Sequence, residues 1–320
     1  MQKKIEKKNI LAAAVRFALH RIVAKMSNYE QYANVSPAYA NGRQPVALNT
    51  VLGAAIEAAQ RTGVASVASC RVLDAGCGTG NYALALAPFV RHVDAIDADD
   101  GMLAQARTIA AQAAPSHSNV EFSHMDLRDV SHLQAGSVDL INCAQVLHHL
   151  VDEDAANVQG KFDVVQRLLC SFYRLLVPGG ALVLHLTLRD QALHGYWWSH
   201  LVPQACERFS QRVPQREAME QMLCNAGFEA QPYVCATLSE HLQSKDVYEQ
   251  PYGPLEQSWR NTVSIWSLAT SADVAALCHN LHTIRSNEQR DANWRALVQQ
   301  KIKKGDEYGQ NTVFVAFKPK

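Results

Sequence analysis

The sequence predicts an α/β fold, an open and mostly parallel sheet with helices on both faces, and three observations predict it. An apolar strand pattern at Val72-Leu73 runs through a glycine-rich turn, Asp74-Ala75-Gly76-Cys77-Gly78-Thr79-Gly80, directly into a helical pattern at Tyr82, Leu84, Leu86 and Phe89. A second strand pattern, Val93 to Ile96, ends at Asp97. A third, Asn119 to His124, ends at Met125-Asp126-Leu127. Strands that alternate with helices are joined by crossovers and run parallel, so the polar groups at their ends collect on the carboxyl edge, where ligands bind in open α/β sheets.

The turn carries the first functional information. Glycines at 76, 78 and 80 allow positive φ and let a ligand approach where a Cβ would stand. The free N–H groups opening the next helix favour an electron-rich group above the turn. Asp97 closes the second strand, where a carboxylate accepts hydrogen bonds from both ribose hydroxyls; the alternative is that it caps the helix beginning near Asp100. An adenosine-containing ligand fits. A dinucleotide turn needs a third glycine at position 81, which is asparagine, and Asp74 would repel a pyrophosphate but attract the α-ammonium of a methionine moiety. S-adenosyl-L-methionine therefore suits the site better than NAD.

The stretch Val72 to Asn81 resembles motif I of the class I S-adenosylmethionine-dependent methyltransferases. The resemblance implies a Rossmann-like, seven-stranded, mostly parallel sheet whose last strand is antiparallel, with an N-terminal lid and a helical cap. It is carried further by the motif IV region at Asn142 to Leu150, by Val177-Pro178-Gly179-Gly180 before a fifth strand (Ala181 to Leu188), and by Ala226-Gly227-Phe228 before a sixth (Glu229 to Ala236). Thr312 to Phe317 is then the antiparallel strand, inserted between the fifth and the sixth.

The N-terminal residues, 1 to 28, hold seven lysines and arginines against the single acid Glu6, and Val15, Leu19, Ile22 and Met26 form one helical stripe. Such a segment suits a mitochondrial targeting sequence, contact of residues 10–26 with a membrane surface, or a helix packed on its own domain. Asn28 to Pro45 is aromatic and polar; by the resemblance Tyr32, Tyr39 and Arg43 belong to a lid, with Arg43 meeting the donor carboxylate through a charge-assisted bond. Val46 to Gln60 reads as an amphipathic helix. The predicted division is thus 1–45 as N-terminal segment and lid, 46–236 with 312–320 as the core, and 237–311 as a cap, since so long an excursion is not a structureless loop.

By the same resemblance the donor is held by Asp74, Gly76, Gly78, Gly80, Asp97, Ala98, Met102, Asp126, Leu127, Asn142 and Arg43, with Met102 and Leu103 facing the adenine and Asp126 taking its amino group. Asp126 as a plain turn residue is the alternative. His148 and His149 stand where a proton would be accepted from the acceptor, or else brace the loop. Tyr39, Gln145, Tyr196, Trp197, Trp198 and His200 are the expected acceptor contacts; the aromatic run is equally suited to packing.

Composition narrows the partners. Thirty basic residues balance thirty acidic ones and the sequence pI is about 7.2, so no global field points to nucleic acid. The eight cysteines are scattered without Cys-x-x-Cys spacing, which predicts reduced thiols, no metal site and a cytoplasmic protein. No apolar run reaches the roughly 18 residues a membrane span needs. The expected activity is methyl transfer to a small molecule at oxygen, nitrogen or carbon; the rivals are a non-catalytic, cofactor-binding or partner-binding relative and an NAD(P)-dependent oxidoreductase.

Overall fold

Short apolar runs bounded by turns become the strands of one twisted sheet, and the sheet sets where everything else lies. A computed structural model describes residues 42–112, 118–151, 162–229, 233–236 and 240–320; readings on residues 1–41, including Tyr32 and Tyr39, lie outside it. The strands are β1 (Arg71–Ala75), β2 (His92–Asp97), β3 (Val120–His124), β4 (Val138–Ala144), β5 (Leu176–Leu186), β6 (Tyr233–Ala236) and β7 (Thr312–Phe317). Their order is β3-β2-β1-β4-β5-β7-β6. The first five strands pair in parallel, and β7 is antiparallel to both β5 and β6. The chain leaves β1 towards β2 and β3, then returns to its other side at β4. That reversal opens a crevice at the carboxyl ends of β1 and β4.

Each face of the sheet has its own core. On one side lie α1 (Leu48–Thr62), the short α2 (Asn81–Leu86) and α3 (Asp100–Gln112), packed on Val72, Val93, Leu140 and Val183. Between β4 and the next long helix comes α4 (Leu147–Leu150). On the other side α5 (Asp163–Leu175) places Val165, Leu168, Leu169, Phe172 and Leu175 at helical spacing against Leu73, Ile141 and Leu182. Two helices, α6 (Arg189–His194) and α7 (Pro203–Ser210), follow β5, and α8 (Arg216–Ala226) then joins the α5 side through Met219, Met222 and Leu223. Gly227, at φ 101°, ends α8 in the left-handed conformation that glycine adopts freely.

Two strand boundaries differ from the sequence reading. β5 begins at Leu176 rather than Ala181: Val138 pairs with Leu176 and Leu140 with Ala181, so Val177 to Gly180 bulge out between the two pairings. The sixth strand is described only from Tyr233, although the Glu229 N–H still donates to the Phe317 carbonyl at 3.0 Å.

Residues 240–311 form two short helices, α9 (Lys245–Tyr248) and α10 (Gln257–Arg260), and a long pair, α11 (Ser271–Arg285) and α12 (Glu288–Asp306). A capping box at Thr270 and Asp273 starts α11, and the Asn287 side chain accepts from the Arg290 N–H to start α12. All five tryptophans of the chain gather here. Trp197, Trp198, Trp259, Trp266 and Trp294 meet with ring centroids 5.0 to 6.2 Å apart, joined to the core on the α1 side. Among the described residues no helix is long and apolar enough to cross a membrane.

Candidate active site

A cavity of about 350 Å³ opens at the carboxyl edge of the sheet, lined from β1 by Gly76 and Gly78, from β2 by Asp97, Ala98 and Asp99, and from α3 by Met102. Its remaining walls are His124 to Arg128 after β3 and Ala144, Gln145, Val146, His149 and Leu150 after β4. Four successive strand ends therefore converge on one space.

The glycine turn is built for that approach. Gly76 and Cys77 both donate their N–H to the Ile96 carbonyl, at 2.8 and 2.9 Å, which folds the turn back over β2. Gly76 is also sterically required, because a Cβ there would lie 2.4 Å from Val146 Cγ2. Gly78, at φ 53°, is different: a Cβ would meet nothing within 4 Å. It faces open cavity.

Asp97 is half-buried, and its two oxygens accept from the Gly78 N–H at 2.7 Å and the Asp99 N–H at 2.9 Å. Burial pushes its pKa up, while these backbone donors oppose the rise. The helix-capping role goes to Asp99, whose carboxylate accepts the Met102 N–H at 2.8 Å. Asp126 forms an ion pair with Arg128 at 3.1 Å beside the cavity, and Leu127 and Ala98 complete that wall. Asp99, His124, Met125, Arg128, Ala144, Val146 and Leu150 also line the cavity and are not among the residues the sequence points to; each lies within a few residues of a strand-end motif.

Asp74 and Asn142 stand apart from the cavity lining. They face each other in the β1–β4 register, both buried, and the Asn142 amide donates to Asp74 Oδ1 at 2.8 Å. Burial lifts Asp74 to about 7. The Asp74 Oδ2, Thr79 Oγ1 and Asn142 Oδ1 atoms are buried without a hydrogen-bond partner, a costly state that a polar ligand relieves. Gly80 packs against Phe122 and caps α2, while Leu103 lies in the core beneath α3, away from the cavity.

Both histidines after β4 are neutral. Burial, assisted by Arg212 and Arg43, holds His149 down to about 3, and His148 is likewise far below the usual range through burial, then His149 and Arg212. Their rings lie 4.1 Å apart, with His148 against Phe209. His149 borders the cavity; His148 does not. Arg43 bridges to Gln243, and its charge acts on these histidines and on Tyr196.

Of the expected acceptor contacts, Gln145 lines the cavity, in a left-handed conformation (φ 59°) uncommon for a residue with a Cβ. Its amide donates to Asn311 Oδ1 at 2.7 Å, tying the cavity to the start of β7. The aromatic run is elsewhere. Tyr196, Trp197 and Trp198 are buried in the tryptophan cluster, where the Trp197 backbone and indole N–H groups donate to Tyr248. His200 lies on a separate groove of about 680 Å³ bordered by α11 and α12. At the far end of β2 and β3, His92, Asp94 and Glu121 bring three ligand-type atoms within 4.8 Å, with Arg71 paired to Asp94.

A parallel sheet that reverses at β1, a glycine turn open to a cavity and an acid at the end of β2 together define an open α/β protein with a cavity at its carboxyl edge. The particular class follows from the comparisons. Residues 72–180 match the family model described as a methyltransferase domain. The chain is 27% identical over 206 residues to a ubiquinone biosynthesis O-methyltransferase of Xanthomonas axonopodis pv. citri, covering 62% of this chain and 72% of that one. It is 38% identical over 119 residues to an uncharacterised protein of Synechococcus, covering 36% and 24% respectively. With the Psychrobacter arcticus ubiquinone biosynthesis O-methyltransferase it shares 27% identity and spans 46% of the relative's length. The chain thus spans less than half of two of these three curated relatives. A structure from Anabaena variabilis, described as a methyltransferase from an antibiotic biosynthesis pathway, shares the fold at TM-score 0.56 and 18% identity, covering 78% of this chain and 90% of that one. Phosphoethanolamine N-methyltransferase 2 of Haemonchus contortus, solved with S-adenosyl-L-methionine, does so at 0.52 and 15%, covering 91% and 60%.

Proposed function

We propose that this chain is an S-adenosylmethionine-dependent methyltransferase acting on a small molecule, with the 350 Å³ cavity as its donor site. The carrying observation is Gly78: open space above it, with the Asp97 carboxylate held against its N–H, is what a nucleoside lying across the turn requires. The residues fit such a donor. Asp97 would take the ribose hydroxyls, and Met102 and Leu127 would flank the base with Asp126 at its edge, while Asp74, Thr79 and Asn142 lie buried outside the cavity lining, around the glycine turn that the amino-acid end would approach. Arg43 would close over the site, and residues 240–311 would cap it.

The donor supplies a methyl group that its sulfonium already makes electrophilic. The chain's own residues have only to orient the acceptor and exclude water. His149, neutral and with its pKa near 3, is a weak base, so it serves better as a hydrogen-bonding wall than as a proton acceptor at neutral pH. The balanced charge supports a small acceptor over nucleic acid, and the curated relatives named O-methyltransferases favour oxygen as the methylated atom.

Calorimetry with S-adenosylmethionine, S-adenosylhomocysteine and NAD tests the donor: the first two should bind and NAD should not. Donor consumption across fractionated metabolite pools tests turnover. Donor binding with no consumption in any pool would favour a non-catalytic relative.

A further inference from the structure

His185, on β5, is buried, and neither of its ring nitrogens has a hydrogen-bond partner. Strand parity fixes where it points. Val72 and Asp74 in β1, Leu140 and Asn142 in β4, and Val183 and His185 in β5 alternate onto the face that carries the α1 core. Tyr82 of α2 lies beside the imidazole with ring centroids 5.1 Å apart, and its own hydroxyl donates to the Val46 carbonyl at 2.8 Å.

Asp74 Oδ2, Thr79 Oγ1 and Asn142 Oδ1, three further buried atoms without a hydrogen-bond partner, lie by the glycine turn. His185 is separate: it stands on the far side of β4, two strands from the turn. Its register partner there is Ala144, which lines the cavity and has only a methyl side chain to place between them. The His185 carbonyl also accepts the Gln145 N–H at 2.8 Å, so the residue is fixed directly behind the cavity wall formed by the β4 end.

We propose that His185 recognises the methyl acceptor, its ring nitrogens hydrogen-bonding a hydroxyl group and so selecting hydroxyl-bearing molecules. This rests on the methyl-transfer reading above. Burial keeps the imidazole neutral, with its pKa near 3, so the ring offers one N–H donor and one bare nitrogen through the whole neutral range. A hydroxyl both gives and takes hydrogen bonds and matches either nitrogen. A carboxylate finds no positive charge on the ring to hold it.

The test is ligand titration of the full chain, labelled with ¹⁵N-histidine and saturated with S-adenosylhomocysteine, using phenol, catechol and cyclohexanol as probes and toluene as the hydroxyl-free control. The His185 ring signals are identified by their loss in His185→Phe and His185→Gln. Hydroxyl probes should move those signals saturably and toluene should not. Probe affinity should fall tenfold or more in His185→Phe and less in His185→Gln, which keeps a donor and an acceptor, while S-adenosylhomocysteine affinity stays within twofold. If His185→Phe does not fold, His185→Gln carries the comparison. Signals unmoved by every hydroxyl probe, or equal probe affinity with and without the imidazole, overturn the proposal and leave the donor site standing. Failure of the unsubstituted chain to bind S-adenosylhomocysteine overturns both.

Discussion

Replacing Asp97 by alanine isolates the group on which the donor reading depends. In the free protein its carboxylate accepts two backbone hydrogen bonds, from Gly78 at 2.7 Å and Asp99 at 2.9 Å, so truncation leaves two amides without that partner at the rim of a solvent-filled cavity. Because water reaches them there, the cost to folding stays near the low end of the roughly 1–3 kcal/mol for a lost buried partner. The cost to donor binding is larger. A hydrogen bond to a charged group contributes about 1.5–3 kcal/mol, which converts to roughly tenfold to a hundredfold in affinity at about 1.4 kcal/mol per decade. Calorimetric titration with S-adenosylhomocysteine reads the loss, and a thermal melt without ligand verifies folding. A donor analogue lacking both ribose hydroxyls adds the decisive arm: it should bind the parent and Asp97→Ala almost equally, since the coupling partner is absent from each. Unchanged S-adenosylhomocysteine affinity in folded Asp97→Ala, or the same tenfold loss for the deoxygenated analogue, would refute the ribose assignment.

Gly78→Arg should abolish measurable donor binding while the protein still folds, because its side chain enters open cavity; Gly76→Ala, whose Cβ would collide with Val146, should instead lower the melting temperature. For Asp74, the pKa of about 7 in the folded protein lies above the ordinary value of 3.8, so between these two the folded chain holds a proton that the unfolded chain has released. Stability should therefore fall as pH rises through that window, by roughly 4 kcal/mol in the limit of complete burial. Asp74→Asn should flatten this slope in denaturant titrations near pH 4 and pH 8, and parallel profiles for the two proteins would count against a buried, protonated Asp74. Trp198→Ala should destabilise the fold by about 3–5 kcal/mol and leave S-adenosylhomocysteine affinity within twofold, since Trp198 lies in the tryptophan cluster and not in the cavity wall. His149→Asn should leave the pH dependence of turnover unchanged between about pH 5 and 8, because a group with its pKa near 3 does not titrate there.

The parts of the molecule that follow local rules were readable from the sequence. The glycine turn, the acids closing β2 and β3 and the alternation of strand with helix are short-range patterns, and their convergence follows from parallel pairing alone. What depends on long-range packing was not readable. Trp197 and Trp198 follow the fifth strand, at the edge where an acceptor should bind, yet their partners Trp259, Trp266 and Trp294 come from 61 to 97 residues later, and those partners draw the aromatic run into a core. His185 was hidden for a related reason. A histidine within an apolar run reads as one more buried strand residue, and only the register with Ala144 shows how near it lies to the cavity.

Because every indole of the chain belongs to one cluster and none lines the cavity at the carboxyl edge, tryptophan fluorescence reports on that cluster and not on occupancy of the cavity. Filling the cavity with a ligand that leaves the cluster in place should be optically silent. A change of emission on adding ligand would mean that the helices of residues 240–311 had shifted against Trp197 and Trp198, which makes the tryptophan signal a built-in gauge of that motion.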